Sequence, residues 1–276
     1  MTPRPLLAIL PFILAGCGVS AGGGGSSGGL AVAVAGDTAP YAVLDLSTRT
    51  ITWRLTIDPA EAGMRTSRMA FRRVDVGSSK ALVGIFEVTQ AQWQALWGSP
   101  APPTWPWQDV PDAISNSATA HGADRPAYNL DPETVSSVLG AFALSGGAHL
   151  ALPNDAQWTA ACGSSSGWWW GTTTTQAQLA ANAVVRESVI SPARLSAGGV
   201  DTGGPLAVGS RAANPLGIFD VHGNVWEMVS GGTRTRGGSW RDSAWQSRSE
   251  SVTGTDQGFH AELDHTLIGA RLVLVP

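Results

Sequence analysis

From Gly163 to the C-terminus no segment shows the apolar spacing of a helix, and more than a hundred residues of glycine, proline, tryptophan and turn-forming polar residues remain. A long irregular stretch inside a compact domain is usually functional or held in place by bound ions. The whole chain leans the same way. With 34 glycines and 17 prolines in 276 residues it favours a loop-rich fold over a helical bundle. Hydrophobic residues make up 43% and charged residues 14%, enough apolar material to bury a full core in one large domain or two small ones. The formal charge of -4 argues against a nucleic-acid binder, which would usually present a basic face.

Regular structure is expected mainly before Gly163. "YAVLDLSTRTITWRL", Tyr41 to Leu55, alternates in "TITWRL" and turns at Ser47 to Arg49, which predicts a short hairpin. A second strand pair, "MAFRRVDV" and "ALVGIFEV", brackets the turn "GSSK" at Gly77 to Lys80. Three helices follow from caps and spacing. Thr89 caps the first, with Gln92 three residues on, Trp93, Leu96 and Trp97 on one face and Gly98 ending it. Asp131 caps the second, Pro132 takes its first position, and Val135, Val138, Leu139 and Phe142 form its stripe. The third, "NDAQWTAA", pairs Asn154 with Gln157 and turns Trp158 and Ala161 inward.

The N-terminus reads as an address. Arg4 gives a positive start, and "LLAILPFILAG" is an apolar run too short to span a bilayer. "ILAGC" resembles a bacterial lipobox, which implies cleavage before Cys17 and lipidation of that residue; ordinary secretion with Cys17 as a bystander is the alternative. Several acyl chains would anchor the protein stably to a membrane. Glycine follows Cys17 where aspartate would signal retention, which in two-membrane bacteria resembles export to the outer membrane. With Cys17 lipidated, Cys162 is the remaining thiol and no intrachain disulfide forms. The expected organisation is a lipoprotein signal peptide over 1–16, the lipidated cysteine and a Gly/Ser linker over 17–36, a short β-hairpin extension over 37–63, and the main domain over 64–276.

Six stretches in order, "FEVTQAQWQALWG", "LPNDAQWTAACG", "WWWG", "NPLGIFDVHGNVWEMVS", "RGGSWRDSA" and "IGARLVL", resemble the sulfatase-modifying-factor family, which includes formylglycine-generating enzymes. The resemblance spans Met64 to Pro276. It implies an α+β, loop-rich, C-type-lectin-like fold with a few short helices and small antiparallel sheets. It implies much less about activity, because sites are grafted on folds.

The family's oxidase holds Cu(I) between two cysteines, and the matching positions here are Asp242 and Ser247. Soft thiolates select Cu(I), whereas a carboxylate and a hydroxyl are hard ligands, so no copper centre is expected. Ser239 and Trp226 match positions flanking the family's active site. The resemblance also implies calcium at Asp220, Gly223, Val225 and Glu227, two hard carboxylates on a glycine turn with carbonyls between them. A second family calcium site would use the Asn182 side chain, the Ala183 carbonyl and Asp201, although the sequence between them departs from the pattern. His222, His260 and His265 lack partners at metal-ligand spacing. Trp93, Trp97, Trp158 and Trp226 read as core, while Trp168 to Trp170, Trp240 and Trp245 could stack on a ligand.

Three functions compete. The first is a membrane-tethered, calcium-stabilised, non-catalytic module that binds an envelope or extracellular protein or glycan through Ser239, Trp240, Arg241, Asp242, Trp245, Gln246 and Trp226. The second is a ligand-display protein diversified by a retroelement, variable from Arg241 to about Thr266. The third is an oxidoreductase of the formylglycine-generating type, which the missing cysteines disfavour.

Overall fold

The computed structural model describes residues 38–110, 117–189, 203–231, 234–254 and 266–276. Cys17, Asp201, His260 and His265 lie outside them. Both hairpins form where the alternation and turns place them: β1 (Tyr41–Asp45) with β2 (Thr50–Arg54), and β3 (Arg68–Val76) with β4 (Ser79–Gly84). β1 also pairs with β3 along its whole length, Tyr41 opposite Arg72 and Asp45 opposite Arg68. The hairpin read as an extension over 37–63 is therefore part of the main sheet. That sheet is completed by β5 (His149–Ala151) and β10 (Val273–Val275). Among the described residues it has six strands in the order β2-β1-β3-β4-β10-β5, all antiparallel.

Strand alternation gives this sheet two buried faces. Leu82 faces Leu274 across β4 and β10, and both join a core with Trp93 and Leu96 of α1 (Gln90–Trp97). The short α2 (Ser117–Ala120) comes next, and α3 (Pro132–Ala141) adds Val135, Val138 and Leu139 to the same core. One residue along each strand, Val83 faces Val273 on the opposite side. There they pack with Trp158, Ala161 and Cys162 of α4 (Asp155–Cys162). Each such fully buried aliphatic side chain contributes about 1.5–3 kcal/mol relative to exposure. Capping boxes start α1 at Thr89 and Gln92 and α4 at Asn154 and Gln157, and Asp131 accepts the Thr134 N–H to start α3.

Helix formation does not stop at Gly163: α5 (Gln176–Asn182) and α6 (Arg186–Val189) lie beyond it. α5 has its own capping box, Thr175 with Gln178, a signal present in "TTQAQLAAN" but carried on an alanine-rich turn with a single buried apolar residue, Leu179. The second sheet is not purely antiparallel. β6 (Trp226–Met228) pairs antiparallel with β7 (Arg234–Arg236), β7 with β8 (Val252–Gly254), and β6 runs parallel to β9 (Ile268–Gly269). Among the described residues no helix is long and apolar enough to cross a membrane.

Candidate functional site

Two loops interlock at the centre of the glycine-rich half. The first runs from Phe219 to Val225, and its geometry needs left-handed residues: Asp220, Gly223 and Asn224 have φ of 58°, 96° and 66°. At Gly223 a Cβ would lie 2.1 Å from the Val184 carbonyl oxygen, so only glycine fits. That close approach lets the Val184 N–H donate to the His222 carbonyl and the Asn224 N–H donate to the Val184 carbonyl, fastening the turn to the chain after α5. The second loop is "RGGSW". The Gly223 N–H donates to the Gly237 carbonyl at 2.7 Å, and the Trp240 N–H donates to the Asn224 carbonyl at 2.9 Å. Gly238, at φ 79°, packs so closely that a Cβ there would lie 2.9 Å from Ser247 Cα.

The positions matched to copper thiolates are structural posts here. Asp242 is buried, and its Oδ2 accepts the Trp226 indole N–H at 2.7 Å, the Ser239 N–H at 3.1 Å and the Ser239 hydroxyl. Ser247 is buried too. Its hydroxyl donates to the Ala244 carbonyl at 2.8 Å and accepts the Trp168 indole N–H at 3.2 Å. Neither side chain fits Cu(I). Both are hard oxygen donors, and both are engaged in hydrogen bonds that hold the loop.

The recognition surface read from the sequence divides. Ser239, Trp240, Trp226 and Asp242 are interior and frame the loop, so Trp240 does not stack on a ligand from solvent. Trp168 is also buried, while Trp169 and Trp170 are half-buried. Gln246 holds the 3-10 turn Ala244–Ser247 by accepting the Ser243 N–H and hydroxyl at 3.0 and 2.9 Å. Trp245, at the crest of that turn, is 68% exposed. The Arg248 guanidinium lies over its ring at 4.2 Å and over the Trp168 ring at 5.5 Å, and pairs with Glu250 at 2.8 Å. Arg241 is half-buried, its Nη1 has no hydrogen-bond partner among the described residues, and burial draws its pKa below the usual arginine value.

A thiol and an imidazole meet behind this loop. Cys162 Sγ is 3.8 Å from His222 Nε2 and 3.2 Å from the Ser249 hydroxyl. The arrangement is not a nucleophile and its base. His222 donates from Nδ1 to the Ser247 carbonyl at 2.7 Å, and its Nε2 lone pair accepts the Trp169 N–H at 3.0 Å. The Ser249 hydroxyl donates to the Gly167 carbonyl, which leaves the thiol to donate to Ser249. Burial pushes the thiol pKa up to about 11 and the imidazole down to about 4, so both are neutral near pH 7.

The residues that sequence reading missed are Glu87, Asn224 and Arg271. Glu87 Oε1 accepts the Val225 N–H at 3.0 Å and Oε2 accepts Asn224 Nδ2 at 2.6 Å, clamping the glycine turn to the main sheet. Arg271 and Glu227 form an ion pair at 2.6 Å in which both side chains are fully buried. The signal was a charged residue inside an apolar run, "GIFEV" and "GARLVL": such residues are almost never fully buried unless paired. Asn182 is half-buried at the end of α5, and the Ala183 carbonyl accepts the Ser188 hydroxyl at 2.8 Å and faces Arg211 Nε at 3.4 Å. Among the described residues, no three His, Cys, Asp or Glu side chains converge as a metal site.

Comparison with known proteins places this geometry. Residues 49–274 match the model of the sulfatase-modifying factor enzyme 1-like domain. No curated protein sequence matches the chain. PvdO from Pseudomonas aeruginosa is similar in fold at 16% identity and a TM-score of 0.52, over 79% of this chain and 89% of that one. Treponema denticola variable protein 1 aligns at 18% identity and a TM-score of 0.49, over 76% of this chain and 96% of that one. CarF aligns at 21% identity and a TM-score of 0.42, over 71% and 86%. With the family model covering most of its length, this chain belongs to the sulfatase-modifying factor enzyme 1-like family.

Proposed function

We propose that the chain is a non-catalytic binding module of this family, tethered to a bacterial membrane through Cys17 and meeting an envelope or extracellular protein or glycan at the Trp245 turn. The observation that carries it is the fate of Asp242 and Ser247: both are buried, oxygen-bearing and committed to holding Trp226, Ser239 and Trp168. A loop that spends those positions on its own rigidity has no pair of soft ligands left for copper. What it offers outward instead is one exposed tryptophan on a capped 3-10 turn with an arginine over its ring. Aromatic and arginine side chains of this kind dominate binding hot spots. The tether rests on the lipobox-like "ILAGC" and the Gly/Ser stretch after it.

The catalytic half is tested by incubating the purified chain with copper and a cysteine-containing sulfatase-type peptide. No aldehyde is expected by mass spectrometry, and copper-dependent aldehyde formation would restore the oxidoreductase reading. For the tether, the protein should fractionate with membranes and Cys17→Ser should release it; continued membrane association of that variant would exclude lipidation as the anchor.

A further inference from the structure

The segment after β4, the glycine turn, β6 and the segment before β10 bring Glu87, Asp220 and Glu227 around one buried guanidinium, Arg271. Nearly every side-chain oxygen there is committed. Glu227 meets Arg271 through both oxygens, with Nε at 3.1 and 3.0 Å and Nη2 at 2.6 Å, and also accepts the Trp158 indole N–H at 2.6 Å. Glu87 holds Asn224 and the Val225 N–H. Asp220 Oδ2 accepts the Gly209 N–H at 2.6 Å, while its buried Oδ1 has no hydrogen-bond partner among the described residues. Arg271 also donates from Nη1 to the Gly84 carbonyl and from Nη2 to the Phe219 carbonyl, at 3.0 and 2.7 Å.

This arrangement disagrees with the calcium that the family resemblance implies at Asp220, Gly223, Val225 and Glu227. Calcium takes six to eight oxygens, and one uncommitted carboxylate oxygen together with the Gly223 and Val225 carbonyls falls short of that set. Pulling Glu227 toward a metal would leave a fully buried guanidinium without its counter-charge, which is a strongly unfavourable exchange. Arg65 adds a second positive charge facing Asp220. At the other family calcium position the Ala183 carbonyl accepts the Arg211 Nε–H at 3.4 Å, and Asp201 lies outside the described residues.

We infer that Arg271 is the resident cation of this core, standing where the resemblance implies calcium, and that the fold holds together without a divalent metal. A ligand that binds only the native state raises its stability, so calcium dependence would show directly in melting. The full chain is melted with excess calcium and with chelator, and calcium is titrated calorimetrically. Coincident melts and no saturable heat are expected; a melting temperature lowered by chelator, or a saturable calcium isotherm, would overturn the inference. In parallel, Arg271→Gln should lower the melting temperature, and adding Glu227→Gln should recover part of the loss by removing the stranded charge. An Arg271→Gln protein that melts like the parent would also overturn it. Should that variant fail to fold, the calcium titration of the unaltered chain decides alone.

Discussion

The Trp226 indole N–H points at Asp242 Oδ2 from 2.7 Å, and the same oxygen takes two donors from Ser239. One carboxylate therefore joins β6 to the "RGGSW" loop. Removing it by Asp242→Ala would leave three buried donors unsatisfied, each worth about 1–3 kcal/mol. A loss of at least about 3 kcal/mol is expected in denaturant unfolding, with Asp242→Asn milder because it keeps one acceptor oxygen. A loss below about 0.5 kcal/mol for the alanine variant would remove Asp242 from the frame.

Cys162 should be chemically silent while the protein is folded. The thiolate is the reactive species, and burial holds this thiol near a pKa of about 11 with no exposed surface. A maleimide or disulfide reagent at pH 8 should label it only after denaturant is added. Labelling of the native protein as fast as of the unfolded chain would mean that α4 opens to solvent.

His222 contributes a defined pH dependence. Its folded pKa is depressed from 6.5 to about 4, chiefly by burial, so between those values the unfolded chain binds the proton more readily. Stability from this group is present above pH 6.5 and falls as the pH drops toward 4, by about 3 kcal/mol in all. Asp220 works in the opposite direction. Burial raises its pKa from 3.8 to about 6, so its contribution is full below 3.8 and is lost as the pH rises through 6. The two slopes oppose each other, which flattens the parent profile between pH 4 and 6. The measurement is therefore a difference: unfolding free energy of the parent minus that of His222→Gln, followed from pH 7 to 4, should shrink with falling pH. A pH-independent difference would mean that His222 titrates normally in the folded protein.

How much of this was legible in the sequence depended on whether the signal was local. The first four strands and three helices could be read because Thr89, Asp131, Asn154 and the "GSSK" turn act within four residues of themselves. α5 had the same kind of cap at Thr175 but almost no apolar stripe, since its start is anchored by Gln178 and its packing comes through Leu179. The pairing of β6 with β9 joins residues about forty apart, and no spacing rule anticipates it. The site behaved likewise. The glycine turn was visible as a motif, but what Glu227 does was set by Arg271, 44 residues away, and by Trp158, 69 residues away. A carboxylate's type says that it can hold a cation, and only the fold says which cation is there. The aromatic residues show the same limit: Trp240 and Trp245 look alike in sequence, and one is fully buried while the other is 68% exposed.

That contrast carries the last prediction, which concerns Trp245. Its ring stands clear of the core on a turn whose backbone is fixed independently of it, by the Ser243 and Gln246 box and by the Ser247 hydroxyl on the Ala244 carbonyl. Its own contact is the Arg248 guanidinium 4.2 Å above the ring, a cation–π pair between an exposed ring and a mostly buried arginine, worth about 1 kcal/mol. Trp245→Ala should therefore change unfolding stability by no more than about 1 kcal/mol, whereas Trp240→Ala, in the core, should cost about 3–5 kcal/mol. Binding should separate the two further. Under the proposed function, Trp245→Ala weakens capture of the envelope partner by about 2 kcal/mol or more, roughly thirtyfold in Kd, with the far-ultraviolet spectrum unchanged and the melting temperature lowered by no more than about 4 °C. Arg248→Ala should weaken the same capture, because it removes the guanidinium that covers one face of the ring. If Trp245→Ala bound the partner as tightly as the parent chain, the recognition surface would have to be sought away from this turn.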